Sequence, residues 1–112
     1  MLTVYGIKQC DTCRKALKWL ELNGVAHQFH DFRTDGLDAG LLQDWLDSPL
    51  ADKLVNRRST TWRQLTDDQR QLKGDRLIVL LLDAPTLIKR PVFVKKRIIA
   101  IGFNQQELAA HL

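Results

Sequence analysis

In Leu2-Thr3-Val4-Tyr5-Gly6-Ile7, β-branched and aromatic residues gather ahead of a polar break, which predicts a short strand. The period then changes. From Thr12 to Leu22 the apolar residues Cys13, Ala16, Leu17, Trp19 and Leu20 recur at helical spacing, with Arg14, Lys15, Lys18 and Glu21 on the other face. Asn23-Gly24 supplies the stop. Val25 to Phe32, with Phe29 and Phe32 among polar residues, predicts a second strand. A strand, a helix and a strand within about thirty residues imply a right-handed crossover and a parallel pair.

Downstream, Asp38 to Leu46 reads as a helix with Leu41, Leu42, Trp45 and Leu46 on one face, stopped by Asp47-Ser48-Pro49. Short helices are expected over Leu50 to Val55 and Asp67 to Leu72. The unbroken run Leu77 to Leu82 fits either a buried strand or a buried helix segment, and periodicity does not separate the two. Pro91 to Val94 and Arg97 to Ile101 have strand character around the basic turn Lys95-Lys96, which predicts a hairpin. Asn104 caps a last helix that includes Gln105, Glu107, Leu108 and Ala109. No repeat and no linker interrupts the pattern.

At 112 residues the chain has the length of one domain, and 45% hydrophobic with 27% charged residues excludes disordered and fibrous classes. No apolar run approaches the roughly 20 residues of a membrane-spanning helix. The start, MLTVYGIKQC, has neither the basic region nor the apolar stretch of a secretory signal, so a cytoplasmic location is the expectation.

The net charge of +4 hides an asymmetry. Residues 1–52 hold 5 basic and 8 acidic groups, residues 53–97 hold 12 and 4, and the remainder holds only Glu107. A solvated basic face is the plain reading of that segment. No helix-turn-helix, zinc-finger or RNP-type signature accompanies it, so nucleic acid is not the expected partner. The other reading is a focused site for a small anion, built from converging arginines.

Two cysteines are too few for a disulfide scaffold, but their spacing, Cys10-Asp11-Thr12-Cys13, is chemically suggestive. Cys10 falls at the N-terminal edge of the first helix, where unpaired amides and the positive end of the dipole favour a thiolate. Lys8 and Arg14 add positive charge nearby, partly opposed by Asp11. Cys13 lies one turn along, where its sulfur either resolves a mixed disulfide at Cys10 or serves as a small buried hydrophobe. Zinc binding by Cys10, Cys13, His27 and His30 is disfavoured: the histidine spacing is one residue short, and three residues along a strand places the imidazoles on opposite faces. His111 reads as a surface residue.

The chain resembles the ArsC-like branch of the thioredoxin superfamily, which includes arsenate reductases, Spx regulators and YffB proteins. The residues that carry the resemblance are Val4 to Ala16, Val55-Asn56-Arg57-Arg58-Ser59, Leu87-Ile88-Lys89-Arg90-Pro91-Val92 and Ile101-Gly102-Phe103-Asn104, in order along the whole length. The C-x-x-C with Ala-x-x-Trp-Leu after it is nearest the YffB type. The resemblance implies an α/β, thioredoxin-like mixed four-stranded sheet with helices on both faces, in one domain of residues 1–112 with a helical insertion at roughly 36–84. It makes Leu77 to Leu82 helical and Arg90-Pro91 a cis bond facing the nucleophilic Cys10. It implies an anion pocket in which Arg90 and Arg57 hold substrate, beside Pro91, Lys8 and Arg14.

The resemblance further implies a thiol-dependent oxidoreductase with no tightly bound cofactor, glutathione as co-substrate and glutaredoxin as another partner. Two departures bear on the substrate. An arginine expected near the last strand is missing, which weakens arsenate, and Cys13 adds a second thiol of the kind Spx-like members carry. A glutaredoxin-coupled arsenate reductase and a redox-sensing regulator that binds RNA polymerase are the alternatives.

Overall fold

The computed structural model describes residues 1–112. In chain order its elements are β1 (Leu2–Gly6), α1 (Asp11–Leu22), β2 (His27–Asp31), α2 (Ala39–Leu46), α3 (Thr60–Arg63), α4 (Asp67–Arg70), α5 (Gly74–Asp83), β3 (Val92–Val94), β4 (Ile98–Ile101) and α6 (Gln105–Ala110). Single 3-10 turns cover Ala51–Lys53 and Pro85–Leu87. The chain divides into two compact units, one of residues 1–36 with 90–112 and the other of residues 37–89. No helix is long and apolar enough to cross a membrane.

The first unit is a mixed four-stranded sheet in the order β2-β1-β3-β4. The first two strands pair in parallel, with Leu2 opposite His27 and Gly6 opposite Asp31. β3 runs antiparallel to β1, Phe93 opposite Val4, and β4 antiparallel to β3, Phe93 opposite Ala100, with an irregularity between Phe93 and Val94. Alternation along β1 buries Leu2 and Val4 against Ala16 and Leu20 of α1, Phe93, Ala100 and Leu108 of α6, so both helices of this unit lie on one face of its sheet. The mixed four-stranded sheet is the thioredoxin-like one that the resemblance implies, whereas helices on both faces are not seen within this unit, because α1 and α6 share the face of Leu2, Val4 and Phe93.

The first helix ends as its Asn23-Gly24 signal predicts. Gly24 takes a positive φ of 65°, while the N–H groups of Gly24 and Val25 donate to the carbonyls of Glu21 and Leu20 at 3.1 and 3.0 Å. In the second unit, Asp38, Ser59 and Thr66 cap α2, α3 and α4, the last in a reciprocal capping box with Gln69.

The run Leu77 to Leu82 is helical. Within α5, Ile78 and Leu81 are buried, whereas Val79 is 63% and Leu82 37% exposed, so an unbroken apolar sequence still presents a helix with an inner stripe. α3 is an element that periodicity could not announce, since four residues hold barely one turn. The segment read as a helix over Leu50 to Val55 contains only the 3-10 turn, and the helix read over Asp67 to Leu72 ends at Arg70. The second unit extends to Lys89 because the Val55–Ile88 bridge ties the end of the segment in. The bonds from Asn56 N–H to Leu87 O at 2.7 Å and from Lys89 N–H to Leu54 O at 2.8 Å complete that tie.

Candidate active site

Cys10 is the N-cap of α1. Its φ and ψ of −92° and 120° are extended, and its carbonyl accepts the first helical bond from Arg14 N–H at 3.0 Å. The sulfur therefore stands at the amide end of the helix, where the Cys13 N–H faces it. Partial burial opposes its ionisation. The backbone amide of Cys13, the Cys13 thiol and the hydrogen-bonded Arg90 guanidinium outweigh that burial and hold the Cys10 thiol below its usual value.

Cys13 is completely buried on the inner stripe of α1. Burial pushes its thiol up to about 12, a hydrogen bond donated by the Ile7 N–H opposes the rise, and the neighbouring Cys10 adds to it. The two sulfurs are thus chemically unequal, one poised to be a thiolate and the other held as a thiol that donates to it. Both are free in this structure.

Room for the Cys13 sulfur is made by Gly6. A Cβ on Gly6 would stand 2.5 Å from Cys13 Sγ and 3.4 Å from the Phe29 ring. Replacing Gly6 by Ala is expected to displace Cys13 and the first turn of α1, costing about 1–3 kcal/mol in urea denaturation. Unchanged stability in the Gly6→Ala variant would show that the sulfur moves aside freely.

Arg90 precedes Pro91 across a cis peptide bond just before β3, and its guanidinium hydrogen-bonds the Cys10 sulfur. Lys8 and Arg14 serve the loop between β1 and α1. Arg14 Nε donates to the Lys8 carbonyl at 3.0 Å, its guanidinium lies 3.8 Å from the exposed Asp11 carboxylate, and the Lys8 amide donates to Asp31. The fold therefore brings Cys10, Cys13 and Arg90 together in the first unit, with Lys8 and Arg14 shaping the loop that presents them.

Arg57 belongs to the second unit. Its guanidinium sits 5.8 Å from the centroid of the Trp62 ring, as does that of Arg70. Arg57, Trp62, Arg70, Leu65 and Leu77 all line a cavity of about 460 Å³ in that unit. Arg70 is further tied to the carbonyls of Trp62 and Arg63 and to Asp67. His27 and His30 approach the carbonyls of Val25 and Gly36 at 2.8 and 2.7 Å.

Motif and spacing did not single out two residues near the thiols, Gly6 and Asp31. A signal for each existed. Parallel pairing of β1 and β2 puts their C-terminal ends side by side, so Asp31 had to lie next to the loop leading to Cys10. Helical spacing had already put Cys13 on the face of α1 that needs a small partner below it.

A strand, a thiol at the first amides of the following helix, and an arginine before a cis proline on a neighbouring strand define a thioredoxin-like protein with a C-x-x-C centre. More narrowly, the chain belongs to the ArsC family, whose model matches residues 5–111. An uncharacterized protein of Haemophilus influenzae is 48% identical over 112 residues, covering 98% of this chain and 97% of its own. The global transcriptional regulator Spx of Streptococcus agalactiae is 31% identical, covering all of this chain and 83% of its own. A solved structure of a YffB protein superposes with a TM-score of 0.88 at 38% identity, covering 98% of this chain and 97% of that one.

Proposed function

We propose that this chain is a thiol-dependent reductase that uses Cys10 as nucleophile and glutathione as co-substrate. The observation that supports it most is the convergence of the Cys13 amide, the Cys13 thiol and Arg90 on one partly buried sulfur. Arginine suits this task because its guanidinium stays charged and can serve the thiolate and an anionic substrate group together.

The chemistry is thiol–disulfide exchange. The Cys10 thiolate attacks the glutathione sulfur of a mixed disulfide, forming a Cys10–glutathione bond as the substrate sulfur leaves and takes a proton from water. A second glutathione thiolate attacks the same glutathione sulfur, releasing oxidised glutathione and the Cys10 thiolate. The net change is a mixed disulfide and one glutathione giving the substrate thiol and oxidised glutathione, so the reducing equivalent comes from that second glutathione, whose sulfur becomes half of the new disulfide. Arg90, beside Pro91, holds a glutathione carboxylate or an oxyanion. Cys13, held as a thiol, favours the Cys10 thiolate by donating to it.

Mass spectrometry of the protein with oxidised glutathione tests this. The expected product is a single adduct on Cys10, whose rate of formation rises with pH with a midpoint below the ordinary cysteine value of about 8.5. No modification of either cysteine would sink the proposal. Arsenate turnover with glutathione and glutaredoxin is the assay for the arsenate variant.

A second reading, a redox-sensing regulator that binds RNA polymerase, draws support from the C-x-x-C pair and the Spx relative. It requires a Cys10–Cys13 disulfide as the product of the same experiment, and redox-dependent capture of polymerase.

A further inference from the structure

We propose that Asp31 is a positioning residue for Cys10, holding the loop between β1 and α1 from the end of β2. The inference rests on Cys10 being the nucleophile. Asp31 is the one charged residue in the buried set, 3% exposed, and nothing about the sheet itself calls for a charge there. Its two oxygens divide their work. Oδ1 accepts the N–H groups of Arg33 and Thr34 at 2.7 and 3.2 Å, closing the turn that follows β2. Oδ2 accepts the Lys8 N–H at 2.9 Å, two residues before Cys10.

The loop is held at three further points, and Asp31 itself at a fourth. The Lys8 carbonyl accepts from Arg14 Nε, the Cys10 N–H donates to the Ile7 carbonyl at 3.1 Å, the Phe32 N–H donates to the Gly6 carbonyl at 2.8 Å, and the Asp31 N–H donates to Asp35 Oδ2 at 2.9 Å, which steadies the carboxylate's own backbone. Of these, only the Asp31 carboxylate reaches the Lys8 N–H, joining the strand end to the middle of the loop. Two acceptor oxygens are needed, which explains an aspartate. An asparagine oriented by Arg33 and Thr34 would turn its NH2 toward the Lys8 N–H, donor against donor. Burial opposes the carboxylate, but the three amides outweigh it and hold the carboxyl below its usual range, so both oxygens remain acceptors at neutral pH.

Positioning and simple charge predict opposite signs for Asp31→Asn. Removing a negative charge near Cys10 favours the thiolate and lowers the pH midpoint of its reactivity. Releasing the loop moves Cys10 off the Cys13 amide and Arg90, and raises that midpoint. Iodoacetamide alkylation of Cys10 against pH reads the sign, with Asp35→Ala as a control that loosens the same turn without touching the Lys8 bond.

The expected result is a higher midpoint in Asp31→Asn, about threefold slower alkylation at pH 6 for each unit of rise, and an unmoved midpoint in Asp35→Ala. A folded Asp31→Asn protein with an equal or lower midpoint overturns the inference, as does an equal rise in Asp35→Ala. In the unaltered protein the Lys8 amide resonance should shift as Asp31 titrates below the ordinary carboxyl range. A Lys8 resonance indifferent to that titration also overturns it, whether or not Asp31→Asn folds. Should Cys10 of the unaltered protein show no reactivity below the ordinary thiol range, the nucleophile reading itself fails, an outcome separate from any of these.

Discussion

Cys10→Ser abolishes the glutathione adduct, lowering its rate of formation by at least about 10³-fold, a loss of the size found when a covalent nucleophile is removed. The substitution is nearly isosteric and keeps the N-cap, since serine is a favoured residue at that position. What disappears is the thiolate. The Cys13 amide, the Cys13 thiol and Arg90 would then surround a hydroxyl that stays protonated at neutral pH. Cys13 does not take over, because it is completely buried and its thiol is pushed up to about 12. Cys13→Ser, in contrast, keeps an adduct on Cys10, since a serine hydroxyl can still donate to the sulfur. Mass spectrometry of tryptic peptides after exposure to oxidised glutathione separates the two variants. Adduct formation at an unchanged rate in Cys10→Ser would remove Cys10 from its role.

Phe93→Ala destabilises the protein by about 3–5 kcal/mol, a large part of what a domain of this size has in hand. Phe93 is fully buried on β3, opposite Val4 on one side and Ala100 on the other, and packs into the cluster that joins the sheet to α1 and α6. The buried helix residues of that cluster are Ala16, Leu20 and Leu108, with Trp19, Phe29 and Phe103 packed against it, and removal of a whole ring leaves a cavity that such a shell closes only in part. Thermal denaturation should show a midpoint lower by more than about 10 °C, on the order expected for such a loss. The effect also reaches the site. β3 begins two residues after Arg90, so a loosened strand weakens the guanidinium's hold on Cys10. A melting midpoint within about 2 or 3 °C of the unaltered protein, well below the loss expected for a cavity of this kind, would show that the core closes around the gap.

Much of the first unit could be read from residue order. The β-branched and aromatic residues of Leu2 to Ile7, the helical stripe through Cys13, Ala16 and Leu20, and the Asn23-Gly24 stop all describe local choices that the fold keeps. The Lys95-Lys96 hairpin is of the same kind. Leu77 to Leu82 was different. Six apolar residues in a row contain no period, so local pattern left two states open, and family resemblance selected the helix that α5 forms. Short segments escaped for a related reason. Four residues of α3 or three of a 3-10 turn have too few positions to display a face.

By itself the sequence determined a β-α-β start with a thiol at a helix N-terminus, because helix amides and cysteine spacing are local properties that travel with the chain. Arg90 is eighty residues from Cys10, and only the antiparallel return of β3 beside β1 brings its guanidinium to the sulfur. Asp31 joins the loop through strand register, and Gly6 lies under Cys13 through the packing of α1 on the sheet. The inequality of the two thiols arises from the same cause. Burial and amide bonds are set by what folds against each sulfur, and no reading of Cys-x-x-Cys along the chain contains them.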